Sequence, residues 1–334
     1  MKVSVIGAGS WGTTLAALLA EKLETVTLWS RRPEVAEEIN SFRTNSSYLG
    51  NIKLPENIRA TTSIAEAAEG ADYLIMAVPS SYFRSVCELM LPYVKKDQFF
   101  LSVTKGIEAD SLKRMSEVLI DVFGVGLRHI AVLSGPNHAE EVIRKIPSAT
   151  VVASKDHQLA TRFQEILMRD YFRVYTHDDV VGVEVAGTIK NVIAIAVGIA
   201  DGIGYGDNTR AALITRGLAE MVRLGKKMGA NPLTFLGLAG IGDLIATATS
   251  KHSRNRNFGE ALGKGRDARS ILESSRMVVE GVSNSKSVLF LAAKYGVEMP
   301  ISSEVYQIIY EGKSPLESVV SLMKRAPKPE IDLI

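Results

Sequence analysis

One cysteine, Cys87, stands among 334 residues, so an intrachain disulfide is excluded. Histidine is nearly as scarce. The five present, His129, His138, His157, His177 and His252, show no metal-ligand spacing, and no metal is expected. Net charge is also small: 39 basic residues against 37 acidic ones leave +2, dispersed along the chain. That balance offers no field for nucleic acid or for an anionic membrane. Long apolar runs are missing as well. The most apolar, Val192 to Ala200, is cut by Asp201 and falls far short of the roughly 20 residues that span a bilayer, so a buried helix is expected there. No hydrophobic leader precedes the first β-rich run, and no internal repeat or Pro-rich linker stands out. These absences point to a cytoplasmic protein with no nucleic-acid partner and no integral membrane segment. With 46% hydrophobic and 23% charged residues, the composition is that of a globular protein with ample core, and the length predicts two domains.

What is present begins at once. Lys2-Val3-Ser4-Val5-Ile6 reads as a strand and runs into Gly7-Ala8-Gly9-Ser10-Trp11-Gly12, followed by a helical stretch from Thr13 to Lys22. In this order the glycines have separate duties. Gly7 allows a tight turn, Gly9 lets main chain approach a pyrophosphate, and Gly12 lets helix and strand pack. The helix N-terminus adds N–H groups and positive dipole for the phosphates. A dinucleotide is expected here. The second strand, Thr25 to Trp29, ends in Ser30-Arg31-Arg32, where an NAD-selective site would carry an acidic residue for the ribose hydroxyls. Two guanidinium groups suit the 2′-phosphate of NADP instead, so NADPH is the preferred cofactor, with NADH possible. The same pair would also serve as a solvated start to the helix beginning near Pro33.

Further β-rich runs, Tyr73 to Val78, Phe99 to Val103, Ile130 to Leu133, Ala149 to Ala153 and Phe172 to Tyr175, alternate with amphipathic stretches. This cadence predicts an α/β fold whose N-terminal part is a Rossmann-type, mostly parallel sheet with helices on both faces. Ligand loops then belong at the strand C-termini: Val78-Pro79-Ser80-Ser81, Thr104-Lys105-Gly106 and Ser134-Gly135-Pro136-Asn137-His138. The polar segment Arg43 to Asn57 reads as a long loop or short helix beside the cofactor. From Val183 the apolar residues recur at helical spacing, as in Ala211 to Lys227 and Ser285 to Tyr295. The expected division is therefore a dinucleotide-binding domain, 1–182, and an all-helical C-terminal, substrate-binding domain, 183–334.

The first helix of that second domain carries the candidate proton-transfer group. Lys190 is flanked at three and four residues by Ala186, Gly187, Ile193 and Ala194. Apolar surroundings disfavour its charged form and bring its pKa toward the range useful for a general acid at a developing alkoxide. Equally, such a lysine can snorkel its amine to solvent. Gly237-Leu238-Ala239-Gly240-Ile241-Gly242-Asp243 is a glycine-punctuated approach to one carboxylate, and Asp243 is a candidate to orient and tune Lys190, although spacing alone does not bring the two together. Ser253, Arg254 and Asn255 offer a hydroxyl, a fork and an amide, a set suited to a phosphate ester and also to a surface helix start. His138 is the alternative acid by its titration range, with a loop-packing role preferred.

Taken in order, seven stretches resemble the bacterial NAD(P)-dependent glycerol-3-phosphate dehydrogenases over essentially the whole chain. They are Gly7 to Gly12, Ser102 to Glu108, Ser134-Gly135-Pro136, Ala186 to Asn191, Gly240 to Leu244, Ser253-Arg254-Asn255 and Val279-Glu280-Gly281. The resemblance implies that Ser10, Trp11, Arg31, Arg32, Ala139, Val278 and Glu280 contact the cofactor, and that Lys105 touches both cofactor and substrate. It implies Lys190 as the proton donor to dihydroxyacetone phosphate and acceptor from sn-glycerol 3-phosphate. Gly135, Asn137, Asp243, Ser253, Arg254 and Asn255 would line the substrate site, with Arg254 on the phosphate and bridging to the cofactor. Asn137 stands where the family more commonly has Ser, and His138 where it often has Phe; an amide can donate in place of a hydroxyl, with a different reach. A homodimer through the helical domain and a role in supplying the phospholipid backbone are further implications. Two other functions fit the same plan. A β-hydroxyacid-type dehydrogenase would bind a carboxylate at Arg254, and a non-catalytic NADPH-binding sensor would have no use for Lys190, Asp243 and Lys105.

Overall fold

In a computed structural model, residues 1–274 and 277–330 are described; positions 331–334 of the expected second domain lie outside them, as do 275–276. The chain divides into two compact units. Met1–Thr104 with Lys113–Val180 form the first, and Lys105–Leu112 with the chain from Val181 onward form the second.

The first unit runs β1 (Val3–Ile6), α1 (Ser10–Ala20), β2 (Val26–Trp29), α2 (Pro33–Phe42), α3 (Ser46–Leu49), β3 (Ile58–Thr61), α4 (Ile64–Ala68), β4 (Tyr73–Met76), α5 (Phe83–Met90), β5 (Phe99–Ser102), α6 (Met115–Phe123), β6 (Ile130–Ser134), α7 (Ala139–Val142), β7 (Ser148–Ser154), α8 (His157–Leu167) and β8 (Phe172–His177). The strands form one sheet in the order β3-β2-β1-β4-β5-β6-β7-β8, parallel at every pairing except β6 with β7. Side chains alternate across it with period two. Val5, Ile75 and Leu101 join the core under α1, α2 and α8, whereas Ile6, Leu74, Met76 and Phe100 join the core under α4, α5 and α6. Both faces are therefore covered, as a buried parallel sheet requires. The Rossmann-type α/β sheet expected from the sequence is present. The sequence reading missed β3, an edge strand with only two buried positions, Ile58 and Ala60, and no continuous β-branched run. Because β1 lies between β2 and β4, the strand order reverses beside the glycine loop, the place where such sheets bind ligands.

The described residues of the second unit contain no strand. Its helices are α9 (Val180–Ile203, its first residue contributed by the first unit), α10 (Asp207–Lys227), α11 (Asp243–Thr249), α12 (Arg254–Gly263), α13 (Ala268–Ser274), α14 (Glu280–Tyr295), α15 (Pro300–Tyr310) and α16 (Pro315–Met323). By length and hydropathy α9 would cross a membrane, but 94% of its most apolar window is buried within the protein, so it is a core helix. It packs closely on α12. A Cβ added at Gly198 would lie 2.0 Å from the carbonyl oxygen of Arg256, and one at Gly202 would lie 2.2 Å from that of Glu260. Reciprocally, a Cβ added at Gly259 or Gly263 would lie 2.1 or 2.2 Å from the carbonyl oxygen of Ile195 or Ile199, respectively. Four glycines thus let two helix backbones touch, a separation that any side chain would widen. Elsewhere the buried carboxylate of Glu220 on α10 accepts from the N–H of Ile301 at 2.6 Å and of Ser302 at 3.2 Å, capping α15 from another helix. Burial raises its pKa, and those two N–H donors with the Ser302 hydroxyl oppose the rise.

Helix propensity favours Ala over Gly by about 1 kcal/mol, whereas overpacking costs about 1–3 kcal/mol or more. Gly259→Ala should therefore lower the denaturation midpoint in urea despite its better propensity, and Gly259→Val should lower it further; an unchanged midpoint would mean that α9 and α12 can separate freely.

Candidate active site

The glycine loop is shaped by three different constraints. Gly7 has φ +117°, and a Cβ there would lie 2.6 Å from the Ala77 carbonyl oxygen. A Cβ at Gly12 would fall 1.9 Å from the carbonyl oxygen of Gly7, whereas one at Gly9 would meet nothing within 4 Å. Gly7 and Gly12 close the turn, and Gly9 leaves it open above the N-terminus of α1, which no side chain caps and no acidic residue opposes. A pyrophosphate fits that arrangement. Asn45 supports it from below, donating from Nδ2 to the Ala8 carbonyl at 3.0 Å and to Thr13 Oγ1 at 2.9 Å. Ser10 Oγ donates to the carbonyl of Tyr48 at 3.4 Å, and Trp11 packs obliquely on Phe172.

Just beyond β2, each arginine lies over an aromatic ring: Arg31 is 5.4 Å from the centroid of Tyr82 and Arg32 is 5.2 Å from that of Tyr48. Cation–π contact holds a guanidinium by its face and leaves its in-plane donors for an anion. Nη2 of Arg32 is buried and has no hydrogen-bond partner among the described residues. An unpaired buried donor at this position fits a phosphate oxygen. The loop after β6 is more closed. Gly135 has φ +153°, and a Cβ there would lie 3.0 Å from Thr150 Cα. Asn137 donates from Nδ2 to the Ala149 carbonyl at 3.0 Å, and the carbonyl of Ala139 accepts from Thr14 Oγ1 at 3.4 Å. His138 precedes α7, its carbonyl accepting from the N–H groups of Glu141 and Val142.

In the second unit two cationic side chains share one carboxylate. Asp243 opens α11; its Oδ2 accepts from Lys105 Nζ at 2.6 Å and its Oδ1 lies 3.1 Å from Lys190 Nζ. The Thr247 hydroxyl joins them. It accepts from Lys190 Nζ at 2.6 Å and donates to Asp243 Oδ1 at 3.2 Å. Lys190 and Asp243 are almost wholly buried, and Lys105 is 18% exposed. Burial lowers the Lys190 pKa to about 8; Asp243 opposes the fall and Lys105 adds to it. Burial alone would raise the Asp243 carboxyl, but the two ammonium groups hold it below the usual carboxylate range. Two cations against one anion leave a positive charge over, which favours an anionic ligand.

Amide side chains extend the cluster. Asn191 Oδ1 accepts from Asn255 Nδ2 at 2.8 Å, and Asn255 Oδ1 accepts from the Gly281 N–H at 2.9 Å. Ser253 is the N-cap of α12, its Oγ accepting from the Arg256 N–H at 3.2 Å. Arg254 begins that helix and donates from Nη1 to the Val278 carbonyl at 3.5 Å, and Glu280 begins α14.

Two family models cover this chain. The NAD-dependent glycerol-3-phosphate dehydrogenase N-terminus matches residues 2–160, and the C-terminus of the same family matches residues 179–320. The chain belongs to the NAD-dependent glycerol-3-phosphate dehydrogenase family. A glycerol-3-phosphate dehydrogenase [NAD(P)+] from Lysinibacillus sphaericus is 51% identical over 99% of this chain and 98% of its own length. The corresponding Chlorobium limicola protein is 48% identical over 99% of this chain and all of its own. A solved glycerol-3-phosphate dehydrogenase from Coxiella burnetii superposes with a TM-score of 0.93 at 40% identity, covering 97% of this chain and 99% of that one.

Within this family member, Lys105 and Lys190 converge on the carboxylate of Asp243, and Asn255 adjoins them through Asn191. Gly7, Gly9, Ser10, Trp11, Gly12, Arg31, Arg32, Gly135, Asn137 and Ala139 all lie in the first unit. Sequence reasoning gave no role to Thr247, although its place four residues after Asp243 puts both on one helix face, or to Asn191, the neighbour of Lys190.

Replacing Asp243 with Asn leaves two ammonium groups around an uncharged amide. The loss should be about 3–5 kcal/mol at pH 7. It should be smaller at pH 10, where Lys190 folds neutral; urea unfolding at both pH values measures the difference.

Proposed function

We propose that this chain catalyses the reversible interconversion of dihydroxyacetone phosphate and sn-glycerol 3-phosphate with NADPH or NADH. The observation that carries the reading is the buried Lys190, held by Asp243 and Thr247 with its pKa brought to about 8, in a chain of this family. Reducing a ketone requires one proton at its oxygen, and Lys190 Nζ donates it. Gly7, Gly9 and Gly12 with the N-terminus of α1 would hold a nicotinamide cofactor, which would supply the hydride for the adjacent carbon. In the oxidative direction the neutral amine of Lys190 takes the alcohol proton. Asp243 orients the amine and compensates its charge, while Lys105 touches substrate and cofactor.

Residues 1–182 serve the dinucleotide in this reading, through Gly7, Gly9, Ser10, Trp11, Gly12, Arg31, Arg32 and Ala139. Residues 183–334 serve the substrate, with Arg254 on the phosphate and Ser253 and Asn255 beside it; Gly135 and Asn137 complete the substrate contacts. Arg254, Val278 and Glu280 also reach the cofactor. The two stacked arginines favour NADPH over NADH. We place the enzyme in the cytoplasm as a homodimer through its helical domain, which sedimentation at micromolar concentration tests, and its product supplies the backbone of phospholipids. A β-hydroxyacid-type dehydrogenase or a non-catalytic sensor is not favoured, since the family match extends over both halves and the proton-transfer groups are all present.

Loss of NADPH absorbance on adding dihydroxyacetone phosphate tests the reading directly: wild type consumes it and Lys190→Ala does not. The lysine must be protonated for reduction and neutral for oxidation. Hence kcat/KM for reduction should fall as pH rises through about 8, and that for oxidation should rise through the same value. A reduction rate that climbs across this range would remove Lys190 as the acid. Replacing both arginines by Ala should reduce the preference for NADPH by roughly ten- to a hundred-fold per lost charged hydrogen bond, read as the ratio of kcat/KM for the two cofactors.

A further inference from the structure

Helix α14 reaches the Lys105 segment through side-chain hydrogen bonds to its main-chain carbonyls. Asn284 donates from Nδ2 to the Lys105 carbonyl at 3.2 Å, and one turn later Ser287 Oγ donates to the carbonyl of Ile107 at 3.2 Å. Both side chains belong to fully buried residues. The Lys105 carbonyl also lies 3.5 Å from Nδ2 of Asn191, the residue after Lys190. One carbonyl is therefore shared by two amides, one from the helix of the proton-transfer lysine and one from α14.

The other end of Asn284 sharpens the point. Its Oδ1 is buried with no hydrogen-bond partner among the described residues. A buried acceptor left unpaired destabilises relative to an apolar side chain of similar shape. Stability alone gives no reason for an amide here, and the hydrogen bond it makes goes to the residue whose ammonium grips Asp243 at 2.6 Å. We propose that Asn284 is a positioning residue: it fixes the Lys105 main chain so that the Lys105 ammonium stays on Asp243 Oδ2, and so sets the charge balance around Lys190. This rests on the reading of Lys190 as the proton-transfer group.

The charged groups that act on Lys190 are Asp243 and Lys105. Without the anchor, Lys105 repels the Lys190 ammonium less and Asp243 serves Lys190 alone, so the Lys190 titration should move to higher pH. Asn284→Ala and the shape-matched Asn284→Leu, in full-length protein labelled with 13C at lysine Cε, allow that titration to be followed by NMR without turnover. An alkaline displacement on the order of one unit is expected. The fall of kcat/KM for reduction should move to the same higher pH, and its low-pH plateau should drop roughly ten- to a hundred-fold because Lys105 is no longer held in place, while the melting temperature of the Leu variant stays at the wild-type value. An unmoved Lys190 titration in a folded variant overturns the proposal, as does a lowered melting temperature with unaltered KM and pH profile. Should wild type show no turnover, the functional reading fails while the NMR titration still decides the role of Asn284. If the Ala variant does not fold, the Leu variant carries the same measurements.

Discussion

The carboxylate of Asp243 is the contact on which the second unit's chemistry depends. It has two oxygens and two cationic partners, one for each, and a hydroxyl from its own helix completes one side. Removing two ammonium groups and a carboxylate from water is costly, and only close pairing offsets it. Because Oδ2 is taken by Lys105, the ammonium of Lys190 is left sharing Oδ1 with Thr247. Its charge is compensated enough to be buried, and weakly enough that the proton can leave near neutral pH. A lysine alone in an apolar helix face would be deprotonated or would turn toward solvent. A lysine with a private carboxylate would hold its proton far more tightly.

That balance requires rigid supports, and they come from backbone as much as from side chains. Helix α9 carries Lys190 and Asn191 through the core, pressed against α12 so closely that glycine alone fits at the crossing. Helix α12 in turn brings Asn255 to Asn191. A chain of amides then runs from the Gly281 N–H through Asn255 and Asn191 toward the Lys105 carbonyl. In the first unit glycines serve another purpose: two close the turn and the third leaves room for a ligand. The same residue type thus excludes atoms at one site and admits them at the other.

How far these arrangements can be read beforehand depends on their range along the chain. Strand, glycine loop and helix are contiguous, so the dinucleotide cradle is written in consecutive residues, and the arginine pair follows directly from where β2 ends. Lys190 stands out because small and apolar neighbours recur at helical spacing around it. Thr247 does not, since the i,i+4 relation to Asp243 is common on any helix and acquires meaning only when a lysine 57 residues earlier meets it. Asn284 is less legible still: its partner is a main-chain carbonyl 179 residues away, which carries no residue-type signal. Edge strand β3 escapes for a different reason, because two buried positions produce too little alternation to be distinguished from loop.

The segment Lys105–Leu112 leaves the sheet unit three residues after the end of β5 and belongs with the helices, and the chain then returns to the sheet unit before α6. The polypeptide therefore passes from one unit to the other three times. A gene broken in front of Val183 would put Lys105 on one product and its carboxylate on the other, so neither half could be exchanged for a foreign counterpart without bringing its own matching loop or helix. Modularity in this architecture stops at the level of sheet and bundle; the charge cluster is inherited as an indivisible whole, stitched from stretches of chain that translation separates by more than half the length of the polypeptide between Lys105 and Asn284.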